Sequence, residues 1–158
     1  MQDSDDQDSD DTRAVAALTR VLVGLAWESA HSAPAGVSFA QFRLLLILTE
    51  LGRQPSSRVA AALAVNASSV TRLADRLERL GHLARGGDRD NRSVVTLEAT
   101  ATGREVVEQV LRRRGAELDR VLERMAPRQR AHLVDGARAF TAAAVTLPEL
   151  HSSGHGPL

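Results

Sequence analysis

Cysteine is missing from the 158 residues, which excludes a disulfide framework, a thiolate zinc site and a cysteine redox switch, and fits a reducing compartment. Lysine and tyrosine are missing as well, so every fixed positive side chain is an arginine, whose planar fork suits phosphates and guanine edges. No apolar run approaches the roughly 18 residues needed to span a bilayer, and the opening "MQDSDDQDSDD" is the opposite of a signal peptide's basic and then apolar start. A soluble, cytoplasmic chain without a membrane partner is expected. A glycine-rich phosphate loop is absent, the serines cluster at helix caps and the carboxylates at helix surfaces, so no catalytic residues and no enzyme are expected. His31, His82 and His132 have no ligand-like spacing, and His151 and His155 lie in the tail, so neither a metal nor a cofactor is expected.

What is present is segregated. Formal net charge is zero, yet residues 1–11 hold six Asp and no base, a leader too polar to pack and expected to be disordered. Residues 58–92 instead carry Arg58, Arg72, Arg76, Arg79, Arg85, Arg89 and Arg92 against Asp75, Glu78, Asp88 and Asp90. A local excess of base is an electrostatic footprint for nucleic acid.

The punctuation is helical. From Thr12 to about His31, Val15, Leu18, Leu22 and Leu25 recur at three to four residues, the spacing of an amphipathic helix. After the break at "HSAPAG", Ser38 and Gln41 form a capping box and Val37 with Phe42 a hydrophobic staple, opening a buried helix that Gly52 stops. "SSRVAAAL" is a short helix, "AVN" a tight turn, and "ASSVTRLADRLERL" a second helix capped by Asn66 and ended by Gly81. This is helix-turn-helix spacing. Val70, Leu73, Leu77 and Leu80 form its buried stripe, which leaves Ser68, Ser69, Thr71, Arg72, Asp75, Arg76 and Arg79 off it. "HLAR" and "SVVTL" then flank "GGDRDNRSVV" as strand-sized runs, making a hairpin wing with Arg89 at its tip. Asp90, Asn91 and Arg92 can fix that loop by turn hydrogen bonds and ion pairing. From Thr100 a long helix carries Val107, Leu111, Leu118, Leu122 and Met125; from Pro127 another carries Leu133, Ala137, Phe140, Ala144 and Leu147. Neither stripe has a partner inside so small a winged core, and pairing across a two-fold axis would bury both.

The expected fold is mainly α with a small β-hairpin wing: a winged helix-turn-helix with N- and C-terminal dimerisation helices. Residues 1–11 form the leader, 12–36 and 100–147 the dimerisation region, 37–99 the DNA-binding region and 148–158 a flexible tail.

In element order and in "LAVNASSVTRLADRLERLGHLARGGDRDNRSVV…TATGR" the chain resembles the MarR (multiple antibiotic resistance regulator) family of dimeric winged-helix transcription factors, over about residues 12–147. Asp90-Asn91-Arg92 matches the family's Asp-x-Arg. The resemblance implies a repressor that binds double-stranded DNA at a pseudo-palindromic operator as a homodimer and is released by a small amphipathic or aromatic effector. It places Asn66, Ser68, Ser69, Thr71, Arg72 and Arg76 on the recognition helix, Arg89 and Arg92 on the wing, and makes Asp75 the carboxylate that pairs with Arg92. Two departures stand out: Ala64 replaces the usual turn glycine, and one extra residue between Arg92 and Thr100 calls for a bulge in the second wing strand. Trp27, His31, Phe39 and Phe42 are candidate effector-pocket residues, although so few aromatics serve equally as core. The alternative function is a winged-helix protein-interaction module without DNA binding; Arg72, Arg76 and Arg89 on an exposed face, where apolar anchors would be needed, speak against it.

Overall fold

The capping box at Ser38 starts the helix on which the core is built. The Ser38 backbone N–H donates to Gln41 Oε1 at 2.7 Å, the Gln41 N–H donates back to Ser38 Oγ at 3.4 Å, and α2 runs Phe39–Leu51 until Gly52 at φ 70°. Its Phe42, Leu44, Leu45, Leu46 and Leu48 are all buried, and Val37 is buried beside them as the staple requires. The computed structural model describes residues 2–31, 33, 36–88 and 94–146, with side chains from Asp10 onward.

Around α2 pack α3 (Ser56–Leu63) and α4 (Ala67–Arg79). The turn between them bends at Ala64, which adopts φ 55°, ψ 43° and is the one non-glycine residue at positive φ among those described. An L-residue with a Cβ strains there by about 1–2 kcal/mol, and glycine avoids that strain at some cost in chain entropy. Ala64→Gly should therefore raise stability by roughly 0.5–1 kcal/mol, read as a higher urea midpoint. A lower midpoint would show that the turn is not strained.

A short strand, β1 (Gln54–Pro55), was not anticipated. It pairs with β3 (Val95–Ala99), which also pairs with β2 (Leu83–Gly87), giving an antiparallel sheet of order β1-β3-β2. The wing strands begin and end later than the β-branched runs suggested, and Gly86 and Gly87 lie inside β2, opposite Thr96 and Val95. Pairing from Leu83↔Ala99 to Gly87↔Val95 is continuous. The expected bulge is thus absent from the ladder between Leu83–Gly87 and Val95–Ala99. Arg89, Asp90, Asn91 and Arg92 lie outside the described residues, as does the expected tail.

Thr100 caps α5 (Ala101–Glu123), its Oγ1 accepting from Gly103 N at 3.1 Å. The Thr100 and Thr102 hydroxyls both donate to the Gly81 carbonyl, at 2.7 and 2.8 Å. This knot ties α5 to the corner where α4 turns into β2, and Val106, Val107 and Val110 bury α5 in the core.

The outer helices are α1 (Gln2–His31) and α6 (Pro127–Ala144). Helix α1 is drawn from Gln2, through the acidic leader. Residues 10–24 of α1 are exposed, and no residue of α6 is buried.

Candidate nucleic-acid interface

Helix α4 presents two faces because its sequence is strongly amphipathic. Val70, Ala74 and Leu77 are buried, and Leu73 and Leu80 pack against the core. Asn66, Ser68, Thr71, Arg72 and Arg76 are exposed, with Ser69 half-buried. Asn66 Oδ1 accepts from Ser69 N at 2.9 Å and from the Ser68 hydroxyl at 2.8 Å, so the cap orders the first turn. Arg72 Nη2 donates to Ser69 Oγ at 3.3 Å, which holds the guanidinium near the N-terminal end of the helix. Thr71 Oγ1 donates to the Ala67 carbonyl at 3.1 Å. The N-terminal end of α4 therefore combines hydroxyls, a cation and the positive helix terminus, a set suited to anionic phosphate and base edges. Arg76 lies along the loop before α2: its Nη2 is 3.0 Å from where a Cβ on Gly36 (φ 95°) would stand, so the loop passes close to that guanidinium.

Asp75 was expected to hold Arg92. Among the described residues its ion-pair partner is Arg85 of β2, with Nη2 at 2.6 Å from Asp75 Oδ1. The same Nη2 donates to the Thr71 carbonyl at 3.2 Å, and Nη1 donates to Glu78 Oε2 at 3.1 Å. The Arg85 stem also walls a cavity of about 220 Å³ between α4 and the sheet, together with Val70, Ala74 and Leu97. Sequence reasoning counted Arg85 only as charge. The missed signal was strand alternation: Leu83 and Arg85 share one face of the strand, and Leu83 is buried, so Arg85 faces inward toward α4.

The aromatic candidates divide. Trp27, 50% exposed, lies 4.7 Å from His31 and 5.2 Å from Phe39 between ring centroids, and His31 Nδ1 is 2.8 Å from the Trp27 carbonyl oxygen. Phe42 is 1% exposed and belongs to the core. Over its ring, at 5.7 Å from the centroid, sits the Arg114 guanidinium, whose Nε donates to Ser29 Oγ at 3.2 Å. Burial lowers the Arg114 pKa below its ordinary value, and the aromatic face returns part of the lost hydration. Arg114 was hidden in the run Arg112-Arg113-Arg114, where helical periodicity turns one of three inward. Among the described residues no group of three or more His, Asp or Glu is placed to hold a metal, and no helix is long and apolar enough to cross a membrane.

A sequence model of the MarR family matches residues 35–93, the span from the loop before α2 to the wing. Among solved structures, RV1404 of Mycobacterium tuberculosis is 33% identical, with 84% of this chain and 90% of that one covered and a TM-score of 0.74. YusO of Bacillus subtilis is 29% identical, with 90% and 98% covered and a TM-score of 0.69. The HTH-type transcriptional regulator YfiV of Bacillus subtilis (strain 168) is 25% identical over 100 residues, 63% of this chain and 62% of that protein, so the match spans less than two thirds of that relative. The capped helix α4, the hairpin behind it and these likenesses agree: the chain belongs to the MarR family of winged-helix transcription regulators.

Proposed function

We propose that the chain is a homodimeric repressor that binds a pseudo-palindromic operator through α4 and the wing and is released by a small amphipathic or aromatic effector. The observation that carries the DNA reading is the exposed face of α4, where Ser68, Thr71, Arg72 and Arg76 stand clear of the core beside a hairpin. In this reading residues 12–36 and 100–147 form the dimerisation region and 37–99 the DNA-binding region. The ring contacts that bring Trp27, His31 and Phe39 together support an effector site between the two. Arg89 and Arg92 act from the wing.

Selection from randomised duplex DNA should return an inverted repeat with half-site centres about one helical turn, ~10 base pairs, apart. On that site Arg72→Ala should lose about 1–3 kcal/mol and relax preference at one position in each half-site, as removal of a base contact does. Arg89→Ala should weaken binding more evenly across sequences and flatten the salt slope by about one unit per lost phosphate contact. A selected motif without inverted symmetry, or affinity indifferent to salt, would contradict the proposal.

A further inference from the structure

We propose that Arg85 is a positioning residue for DNA recognition: by clasping Asp75 and Glu78 it pins the wing to the recognition helix and neutralises that helix's two carboxylates. The inference rests on the DNA-binding reading above, but the clasp itself is a property of the free protein.

Helix α4 carries Asp75 and Glu78 among its arginines. A carboxylate on a helix that approaches DNA repels phosphate unless a cation covers it. Among the described residues Arg85 is the cation paired with both, at 2.6 Å and 3.1 Å. Its third contact, to the Thr71 carbonyl at 3.2 Å, means that one guanidinium touches α4 from Thr71 to Glu78, two helical turns. Only an arginine fork reaches three acceptors in this way. The side chain is 29% exposed, and its bonded donors are directed to α4.

Pinning matters because of leverage. The hairpin leaves α4 through Gly81, at φ 75°, so rotation about that corner is restrained on the α4 side by the clasp. Arg89 follows Arg85 by four residues, at most ~13 Å along an extended strand. A tilt of about 10° would shift a group at that reach by roughly 2 Å, enough to lose a hydrogen bond to DNA. The clasp thus sets the distance between what α4 reads and what the wing touches.

The test turns on a sign. If the carboxylates acted only as charges, Asp75→Asn would tighten DNA binding by removing repulsion. The clasp requires the opposite: Asp75→Asn should weaken binding to a selected operator duplex by roughly tenfold, and Glu78→Gln by less, within the coupling range of one ion-pair network. Arg85→Gln should weaken it similarly without changing the salt slope, Arg85→Lys should recover part of the loss, and Asp75→Asn with Arg85→Gln should be no worse than either alone. In the free protein, hydrogen exchange of the β2 and β3 amides should quicken in Asp75→Asn while α4 exchange and the melting temperature hold, because the pair is partly exposed and adds little global stability. Tighter binding by Asp75→Asn overturns the proposal. So does a salt slope about one unit flatter in Arg85→Gln, which would make Arg85 a phosphate contact, or an affinity loss that merely tracks a fall in melting temperature. A wild-type protein that binds no duplex, with the exchange changes still present, would sink the DNA reading and leave the clasp standing.

Discussion

Sedimentation at low micromolar concentration should give a particle of about twice 17.0 kDa, and Phe140→Asp should split it and weaken operator binding by roughly 10²-fold or more, since two linked half-site contacts become one. The argument starts from what one chain leaves uncovered. Phe140 is 61% exposed, and Val15, Leu18, Val21, Leu22 and Val145 are exposed with it. Monomeric soluble proteins rarely show apolar patches beyond a few hundred Å². More telling is the state of α6: none of its residues is buried, whereas helices in proteins draw most of their stability from packing of an apolar face, so a second copy over α6 is expected to supply that packing. The same holds for the exposed part of α1. A Phe140→Asp monomer should therefore also lose far-UV helicity, because α6 melts when its partner leaves. A wild-type particle of 17.0 kDa with full helicity would overturn the dimer and the two-fold operator built on it.

How much of this was legible in the sequence follows the range of the interactions. Helix starts were readable because Ser38 with Gln41, Asn66 and Thr100 bond to amides within three residues of themselves, so the signal and the structure share one short window. Ala64 stood out only because the resembled family usually has glycine at that turn, and the left-handed backbone there gives the reason. The wing edges were misplaced because Gly86 and Gly87 read as turn residues, whereas the ladder partners that hold them extended, Thr96 and Val95, lie eight to ten residues on. Strand β1 consists of two residues, one of them Pro55, and exists only because Leu97 and Thr96 lie alongside. No local pattern announces such a strand.

At the candidate site the division is similar. The exposed face of α4 followed from its apolar stripe, so Ser68, Thr71, Arg72 and Arg76 were placed without any tertiary information. Arg85 was not, because its role depends on the chain reversing at Gly81 and bringing β2 back along α4. Phe42 entered as a pocket candidate on residue type alone, although its position opposite Val37 as the staple already marked it as core.

Replacing Gly103 by alanine should be a strongly damaging small substitution where α5 meets the α4–β2 corner. A Cβ built there would stand 2.1 Å from the His82 carbonyl oxygen and 3.2 Å from Leu45 Cδ2, and backbone cannot rotate away as the end of a side chain can. To relieve the clash α5 must lift from the α4–β2 corner, where Thr100 N donates to the same His82 oxygen at 3.1 Å and the two threonine hydroxyls hold Gly81. Overpacking of this kind costs about 1–3 kcal/mol or more, which outweighs the roughly 1 kcal/mol that alanine contributes over glycine in a helix interior. Because the melting of the proposed dimer would depend on concentration, the comparison belongs at one fixed protein concentration. Gly103→Ala should lower the urea midpoint and, on the proposed DNA reading, weaken operator binding together, since the displaced corner carries the end of α4 and the start of the wing. Thr102→Val, which removes one of the two hydroxyls on Gly81 without adding bulk, should act in the same direction by roughly 0.5–1.5 kcal/mol, the net worth of one hydrogen bond. A Gly103→Ala protein as stable as the parent would show that α5 does not press on the corner, and the tight joint between α5 and the α4–β2 corner would have to be abandoned.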